Sequence, residues 1–272
     1  MDRTYRVVIA VFRVLFRLLG LRIDVRGLEH VPARGPAVLA SNHTGYLDFA
    51  LVGLVGVQRG RRVRFMAKRS TFDNPVTGPA MRAMRHIPVD RAAGTAAARK
   101  ALRALAAGEL LGTFPEATIS RSWLLKDLRP GAVVLAKRAG VPLVPVVTWG
   151  GHRVLTVDRR GGLRRGKPVT VLVGEPIETA GRPVQHLHEQ LRERLTALAD
   201  QAQLGYPDRP RNDRDRWWLP AYLGGTAPTP DVAARLDAEA LMRSAGRTAR
   251  RRSLRKAAGR AGRRCQAAAG RR

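Results

Sequence analysis

Cysteine is nearly absent from this sequence: Cys265 is the only one in 272 residues. An intramolecular disulfide and a cysteine-based metal site are therefore excluded, and the composition suits a reducing compartment. Aromatic residues amount to 5%, so Leu, Val and Ala must supply most of the core, and rings for stacking on bases are sparse. Acidic residues are few, 21 against 50 Lys and Arg, which leaves a formal net charge of +29. Such an excess predicts attraction to a polyanion: nucleic acid, an anionic membrane leaflet or phosphorylated small molecules. A codon bias toward Arg and Ala is the competing cause. No internal repeat is present, and the six histidines show no metal-ligand spacing with acidic partners. No metal or cofactor is expected.

Also missing is an apolar run long enough to span a bilayer, which takes about 20 mostly uncharged residues. The apolar stretch from Tyr5 to Leu21 is broken by Arg6, Arg13 and Arg17, with Arg3 just ahead. At the helical period all four arginines fall on one narrow face and the rest of the surface is apolar. That pattern suits a helix lying in a lipid interface with Arg among anionic headgroups. The stretch has no small-residue cleavage site, so it does not read as a secretory signal.

Downstream, short apolar runs alternate with helical segments, which argues for an α/β layered sheet flanked by helices. Strands are expected at Ala37–Ala40, Val63–Ala67, Leu110–Phe114, Val141–Val147 and Val169–Val173, and helices at Phe49–Val57, Ala92–Ala107, Gly131–Ala139 and His186–Gln203. Pro142 and Pro145 suggest that the fourth of these strands is an edge or carries a bulge. The spacing divides the chain into an interfacial helix at 1–24, a catalytic domain at 25–205 and a basic extension at 206–272. Asp231 to Ser244 reads as one more helix. Beyond residue 246 the extension is nearly all Arg, Ala and Gly and is expected to be disordered.

Polar groups gather where strands end, the usual place for chemistry in such folds. Asn42 and His43 follow the first of these strands, and Asp48 comes five residues after His43. One tight turn would let the Asp48 carboxylate bond one imidazole nitrogen, fix the tautomer and leave the other nitrogen as a base. Asp90 and Arg91 follow another strand, and Arg91 could grip a phosphate. Phe114-Pro115-Glu116 ends a third, with Thr118, Ser120, Arg121 and Lys126 close behind as donors. The apolar segment Val141–Val146 could line a slot for an acyl chain, or be plain core.

Asn42-His43 to Asp48 resembles the NHxxxxD motif of the glycerolipid acyltransferases. Ile87-Pro-Val-Asp-Arg91 is similar to their second block, Phe114-Pro-Glu-Ala-Thr118 to their FPEGT block, and Val141-Pro-Leu-Val-Pro145 to their fourth. The resemblance covers roughly Arg26 to Pro176 and is nearest to the PlsC-type 1-acyl-sn-glycerol-3-phosphate acyltransferases. It implies that His43 is the general base and Asp48 orients it. It implies that an acyl group moves from acyl-CoA or acyl carrier protein to a lysophospholipid hydroxyl, and that Asn42, Arg91, Glu116, Thr118 and Arg121 serve substrate binding. The chain departs from the pattern at Ala117, where the family has Gly, and at Ile119, where it has Arg. It departs again at Arg85-His86, just ahead of the second block, where a Gly is common. These changes leave the acceptor open between lysophosphatidate, glycerol 3-phosphate and a glycolipid hydroxyl. The expected location is peripheral, on the cytoplasmic face of the cell membrane. A nucleic-acid-binding role for the Arg-rich tail is the non-enzymatic alternative, opposed by the absence of any helix-turn-helix, zinc or RNP pattern.

Overall fold

The computed structural model describes residues 3–90, 94–162 and 164–243. Residues 1–227 form one unit, and the remainder forms a second, in which residues 230–243 are helical. The expected disorder after residue 246 lies outside the described residues, as do Arg91 and Cys265.

The apolar runs become strands of one seven-stranded sheet. In chain order the main elements are α1 (Arg3–Leu18), β1 (Arg22–Arg26), β2 (Ala37–Ser41), α2 (Asp48–Gln58), β3 (Val63–Lys68), α3 (Arg69–Phe72), α4 (Thr77–Ala83), β4 (Ile87–Val89) and α5 (Gly94–Ala106). There follow β5 (Leu110–Thr113), α6 (Gly131–Ala139), β6 (Leu143–Trp149), the small hairpin β7 (Leu155–Thr156) and β8 (Arg159–Arg160), β9 (Pro168–Val173) and α7 (Val184–Leu204). The sheet runs β1-β9-β6-β2-β5-β3-β4. Every neighbouring pair is parallel except β6 and β9.

The central strands are buried at every position and mostly apolar because helices cover both faces. Side chains alternate between the two. Ala37, Leu39, Leu110, Val144 and Val146 pack with Phe16 of α1 and Leu51, Val52 and Val55 of α2. Val38, Ala40, Leu111, Leu143 and Val147 pack with Ala101 of α5, Val133 of α6 and Leu187, Leu191 and Leu195 of α7. The reason for two covered faces is topological. From β2 the chain moves one way across the sheet to β3, and from β5 it moves the other way to β6. Right-handed crossovers in opposite directions put their helices on opposite faces. The carboxyl ends of β6, β2 and β5 then open side by side at the crevice where such folds bind ligands.

Three expectations change. The segment 1–24 is not all helix: α1 ends at Leu18, and Arg22 to Asp24 already pair with Pro168 to Thr170 of β9. The catalytic unit does not end at 205, because Tyr206 and Trp218 are buried in its core. And β6 is interior, between β9 and β2, despite its proline. Pro145 is tolerated because β9 ends opposite it: the registered pairs stop at Val146 with Val173. Its carbonyl still accepts the Gly174 N–H at 2.9 Å. Of the segment Val141–Val146, Leu143 to Val146 are buried core strand.

Helix α1 shows three faces. Tyr5, Phe12 and Phe16 pack inward, and Arg3, Arg6, Arg13 and Arg17 form the polar edge. Val7, Val11, Val14 and Leu18, spaced as one helical stripe, are about 60% exposed to solvent. An apolar groove runs between α1 and α2, lined by Val8, Ile9, Phe12, Phe49, Gly53 and Leu54, with Phe65 and His86 also on its wall. No helix among the described residues is long and apolar enough to cross a membrane.

Candidate active site

The loop after β2 folds back on the first turn of α2, and this brings His43 and Asp48 together. Asp48 Oδ2 receives three donors: His43 Nδ1 at 2.9 Å, Thr44 N–H at 2.7 Å and Gly45 N–H at 2.8 Å. Asp48 is fully buried at the helix N-terminus, where the peptide dipoles favour an anion. With Nδ1 donating to the carboxylate, the free base is Nε2. The imidazole side chain is 21% exposed, enough to meet a substrate. The Thr44 and Gly45 amides are committed to Asp48 and so are not available to stabilise an oxyanion.

Gly45 has a steric reason. A Cβ there would stand 2.9 Å from the Leu155 carbonyl oxygen and 3.0 Å from His152 Cα. The turn closes only because the 152–155 backbone can press against it.

The FPE segment holds His43 in place. Glu116 Oε1 accepts the His43 N–H at 2.7 Å and Oε2 accepts the Lys126 N–H at 3.0 Å. Ser120 N–H donates to the His43 carbonyl at 2.7 Å. The Phe114 ring stacks on the imidazole with centroids 4.4 Å apart, and Phe65 stacks behind it at 6.1 Å. Gly112 makes room for that Phe65 ring, which a Cβ would meet at 2.4 Å. Burial pushes the Glu116 carboxyl up to about 8, against two backbone N–H donors that favour the anion.

That shift has a sign. The native state binds the Glu116 proton more tightly than the unfolded chain, whose ordinary value is 4.5. The stabilisation is present below the ordinary value and is lost as pH rises through about 8. Glu116→Gln removes this slope. It also sets an amide donor against a buried N–H, at a cost of about 1–3 kcal/mol. Urea unfolding at several pH values should show wild type losing stability relative to the glutamine variant as pH rises.

Asn42 is not placed for substrate. Its Oδ1 accepts the Thr148 N–H at 2.8 Å and its Nδ2 donates to the Thr148 carbonyl at 3.1 Å. The side-chain amide continues the β2–β6 pairing just where β2 leaves the sheet. Thr118 Oγ1 accepts from Lys126 Nζ at 2.7 Å. The nearly buried Arg121 is ion-paired with Asp158, which sits in the β7–β8 turn. His43, Asp48, Glu116, Thr118 and Lys126 thus share one end of the sheet; Arg91 lies outside the described residues. Two serines are removed as nucleophiles: Ser41 is buried with its hydroxyl on the Asn42 carbonyl, and Ser120 donates to Leu124.

Ala117, in place of the family's glycine, has φ +60° and is exposed. Arg85, just ahead of the second block, also takes a left-handed φ, +57°. A left-handed L residue costs about 1–2 kcal/mol, and glycine's extra unfolded-state entropy returns part of that. Ala117→Gly should raise stability by about 0.5–1 kcal/mol, measured by denaturant melts, and leave turnover unchanged.

Sequence reasoning missed His152. It follows β6 at the same sheet edge as His43 and is fully buried. The signal available was its position: Gly150-Gly151-His152 at the end of an apolar strand, like the other polar groups.

Comparison with known proteins finds similar acyltransferases. The acyltransferase family pattern matches residues 22–149. The chain is 30% identical over 161 residues to a chloroplastic 1-acyl-sn-glycerol-3-phosphate acyltransferase of Brassica napus, covering 57% of this chain and 45% of that protein. It is 28% identical over 186 residues to a 1-acyl-sn-glycerol-3-phosphate acyltransferase of Bacillus subtilis, covering 67% of this chain and 86% of that protein. The crystal structure of PlsC from Thermotoga maritima superposes with a TM-score of 0.64 at 20% identity, covering 75% of this chain and 81% of that one, and shows the shared fold. The chain spans about half the length of the plant relatives it matches. Residues 22–149 are thus similar to an acyltransferase domain, and the fold is that of PlsC.

Proposed function

We propose that the protein transfers a fatty acyl group from a thioester, acyl-CoA or acyl carrier protein, to the free hydroxyl of 1-acyl-sn-glycerol 3-phosphate. The observation that carries this reading is the His43–Asp48 pair: a buried carboxylate with three donors on one oxygen, holding by Nδ1 an imidazole that is partly exposed. His43 Nε2 takes the proton as the acceptor oxygen attacks the thioester carbonyl carbon. The C–S bond breaks, and the imidazolium returns the proton to the leaving thiolate. Asp48 stabilises the imidazolium that forms in between. The Lys126 ammonium beside Thr118, and Arg91 and Arg121 of the neighbouring blocks, are the proposed partners of the acceptor phosphate. For Arg121 the phosphate has to compete with Asp158.

The acceptor's acyl chain is proposed to occupy the α1–α2 groove. Phe114, stacked on His43, leads through Phe65 and Phe49 to Phe12 at centroid distances of 6.1, 6.3 and 5.3 Å. That ladder makes an apolar path from the imidazole to the groove. Helix α1 would lie in the lipid surface, with its exposed Val7–Val11–Val14–Leu18 stripe inserted and its arginines among anionic headgroups. Val11→Asp should therefore weaken binding to anionic vesicles in flotation assays by at least about tenfold, from lost apolar burial plus charge repulsion.

The function is tested by incubating the purified chain with an acyl thioester and, separately, lysophosphatidate, glycerol 3-phosphate and a lyso-glycolipid. Mass spectrometry of the lipids should find phosphatidic acid as the dominant product. Product only from glycerol 3-phosphate or the glycolipid would move the reading to those acceptors.

A further inference from the structure

We infer that His152 is a positioning residue for the transfer reaction: it fastens the His43–Asp48 loop, from the side away from substrate, to a strap made of residues 206–219. This rests on the proposed function only for the word reaction; the contacts themselves stand apart from it.

The outer wall of the catalytic turn is the segment 151–156. Gly151 lies against Asp48: a Cβ built on it would be 3.6 Å from Oδ1. His152 Cα and the Leu155 carbonyl crowd Gly45, whose N–H holds Asp48 Oδ2. The Tyr46 N–H donates to Leu155 O at 3.1 Å, and the Thr156 hydroxyl donates to Thr44 O at 2.7 Å. If this wall moves, the three donors that converge on Asp48 move with it.

The wall is held by the strap. His152 Nε2 donates to the Trp218 carbonyl at 3.0 Å. A carbonyl only accepts, so Nε2 carries the hydrogen, and Nδ1 is a buried lone pair with no partner among the described residues. Burial holds the ring neutral, with its pKa pulled down to about 4. The ring packs against Trp123 and Trp149 at centroid distances of 4.7 and 4.5 Å. Next to it, Arg153 bonds Asp208 at 2.6 Å and lies 4.0 Å over the Trp218 ring. Trp123 Nε1 donates to Trp217 O at 2.9 Å. An apolar ring would fill this space without stranding a nitrogen. The imidazole's distinct contribution is its hydrogen bond to Trp218, which joins the Arg153–Asp208 bond in tying the wall to the strap.

Three variants test this. His152→Gln can place a donor near Nε2, His152→Asn stops short of it and His152→Leu removes it. All four tryptophans of the chain lie around this residue, so intrinsic fluorescence reports directly whether the cluster survives. With the cluster intact, the Leu and Asn variants should lose about 10²-fold in kcat, the scale of a small misplacement of catalytic groups. KM for both substrates should be unchanged, and the Gln variant should stay near wild type. In protein labelled with 15N-histidine, the His43 Nδ1–H resonance should shift or broaden in the Leu and Asn variants and persist in the Gln variant. Folded Leu or Asn variants with wild-type kcat and an unchanged resonance would overturn the inference. So would a Gln variant as impaired as Asn, or loss of the fold in both Leu and Asn, which assigns His152 to stability alone. If the wild-type chain transfers no acyl group, the proposed function fails while the resonance still decides the role of His152.

Discussion

His43→Ala is expected to lower turnover by several orders of magnitude while leaving the protein folded. Removing a general base alone costs roughly 10²–10⁴ in rate. In the proposed mechanism the loss is larger, because the same imidazole both accepts the hydroxyl proton and returns one to the leaving thiolate. Stability should change little: the ring is partly exposed, and its main packing partner is the Phe114 face. Asp48 keeps the Thr44 and Gly45 N–H bonds without it. The loop stays shaped, and the variant reports on chemistry. KM for the acyl thioester should be near wild type, since nothing in the geometry makes His43 a binding group for the donor. Steady-state kinetics with a thermal melt of the same preparation checks both halves.

Asp48→Asn is expected to cost about 10²–10⁴ in kcat with the loop geometry retained. Asp48 Oδ2 carries all three hydrogen bonds, and Oδ1 has no partner among the described residues. An asparagine can put its oxygen where Oδ2 is and its NH₂ where Oδ1 is, so the two backbone N–H groups remain satisfied. What disappears is the charge that stabilises the imidazolium, and with it the preference for the Nδ1–H tautomer. Asp48→Ala differs in kind. It leaves two buried backbone N–H groups without an acceptor, at a cost of about 1–3 kcal/mol each, so the loop should loosen and the melting temperature fall. Separation of the two variants, one catalytically dead but stable and the other dead and destabilised, is the pattern that assigns Asp48 both an electrostatic and an architectural role.

The sheet was legible because its strands are short, apolar and bounded by turn residues; β2, β5 and α6 fall where the pattern places them. The His43–Asp48 contact was legible for a local reason, since a five-residue offset across one turn needs no knowledge of the rest of the fold. What was not legible depends on long-range pairing. Asn42 belongs to a polar motif, yet its amide is spent on Thr148, more than a hundred residues away. Glu116 reads as a residue projecting to substrate, but both its oxygens hold backbone N–H groups. Pro145 suggested an edge because sequence shows the missing donor and not that β9 stops opposite it. Val141–Val146 was compatible with a slot or with core until neighbours on both sides were known. The apolar groove appears between α1 and α2 instead, because the inward face of α1 carries Phe12 and Phe16. The segment after 205 was set aside for its polar composition, although two of its aromatic residues, Tyr206 and Trp218, are among the most buried side chains in the protein.

The central claim is that the imidazole acts directly on the acceptor hydroxyl, with no protein side chain acylated on the way. Intact-protein mass spectrometry, after mixing wild-type enzyme with an acyl thioester and no acceptor, tests it most directly. The account predicts an unmodified protein mass and no burst of free thiol, followed by thiol release only when lysophosphatidate is added. A protein heavier by one acyl group, formed within a turnover and lost on adding acceptor, would contradict it.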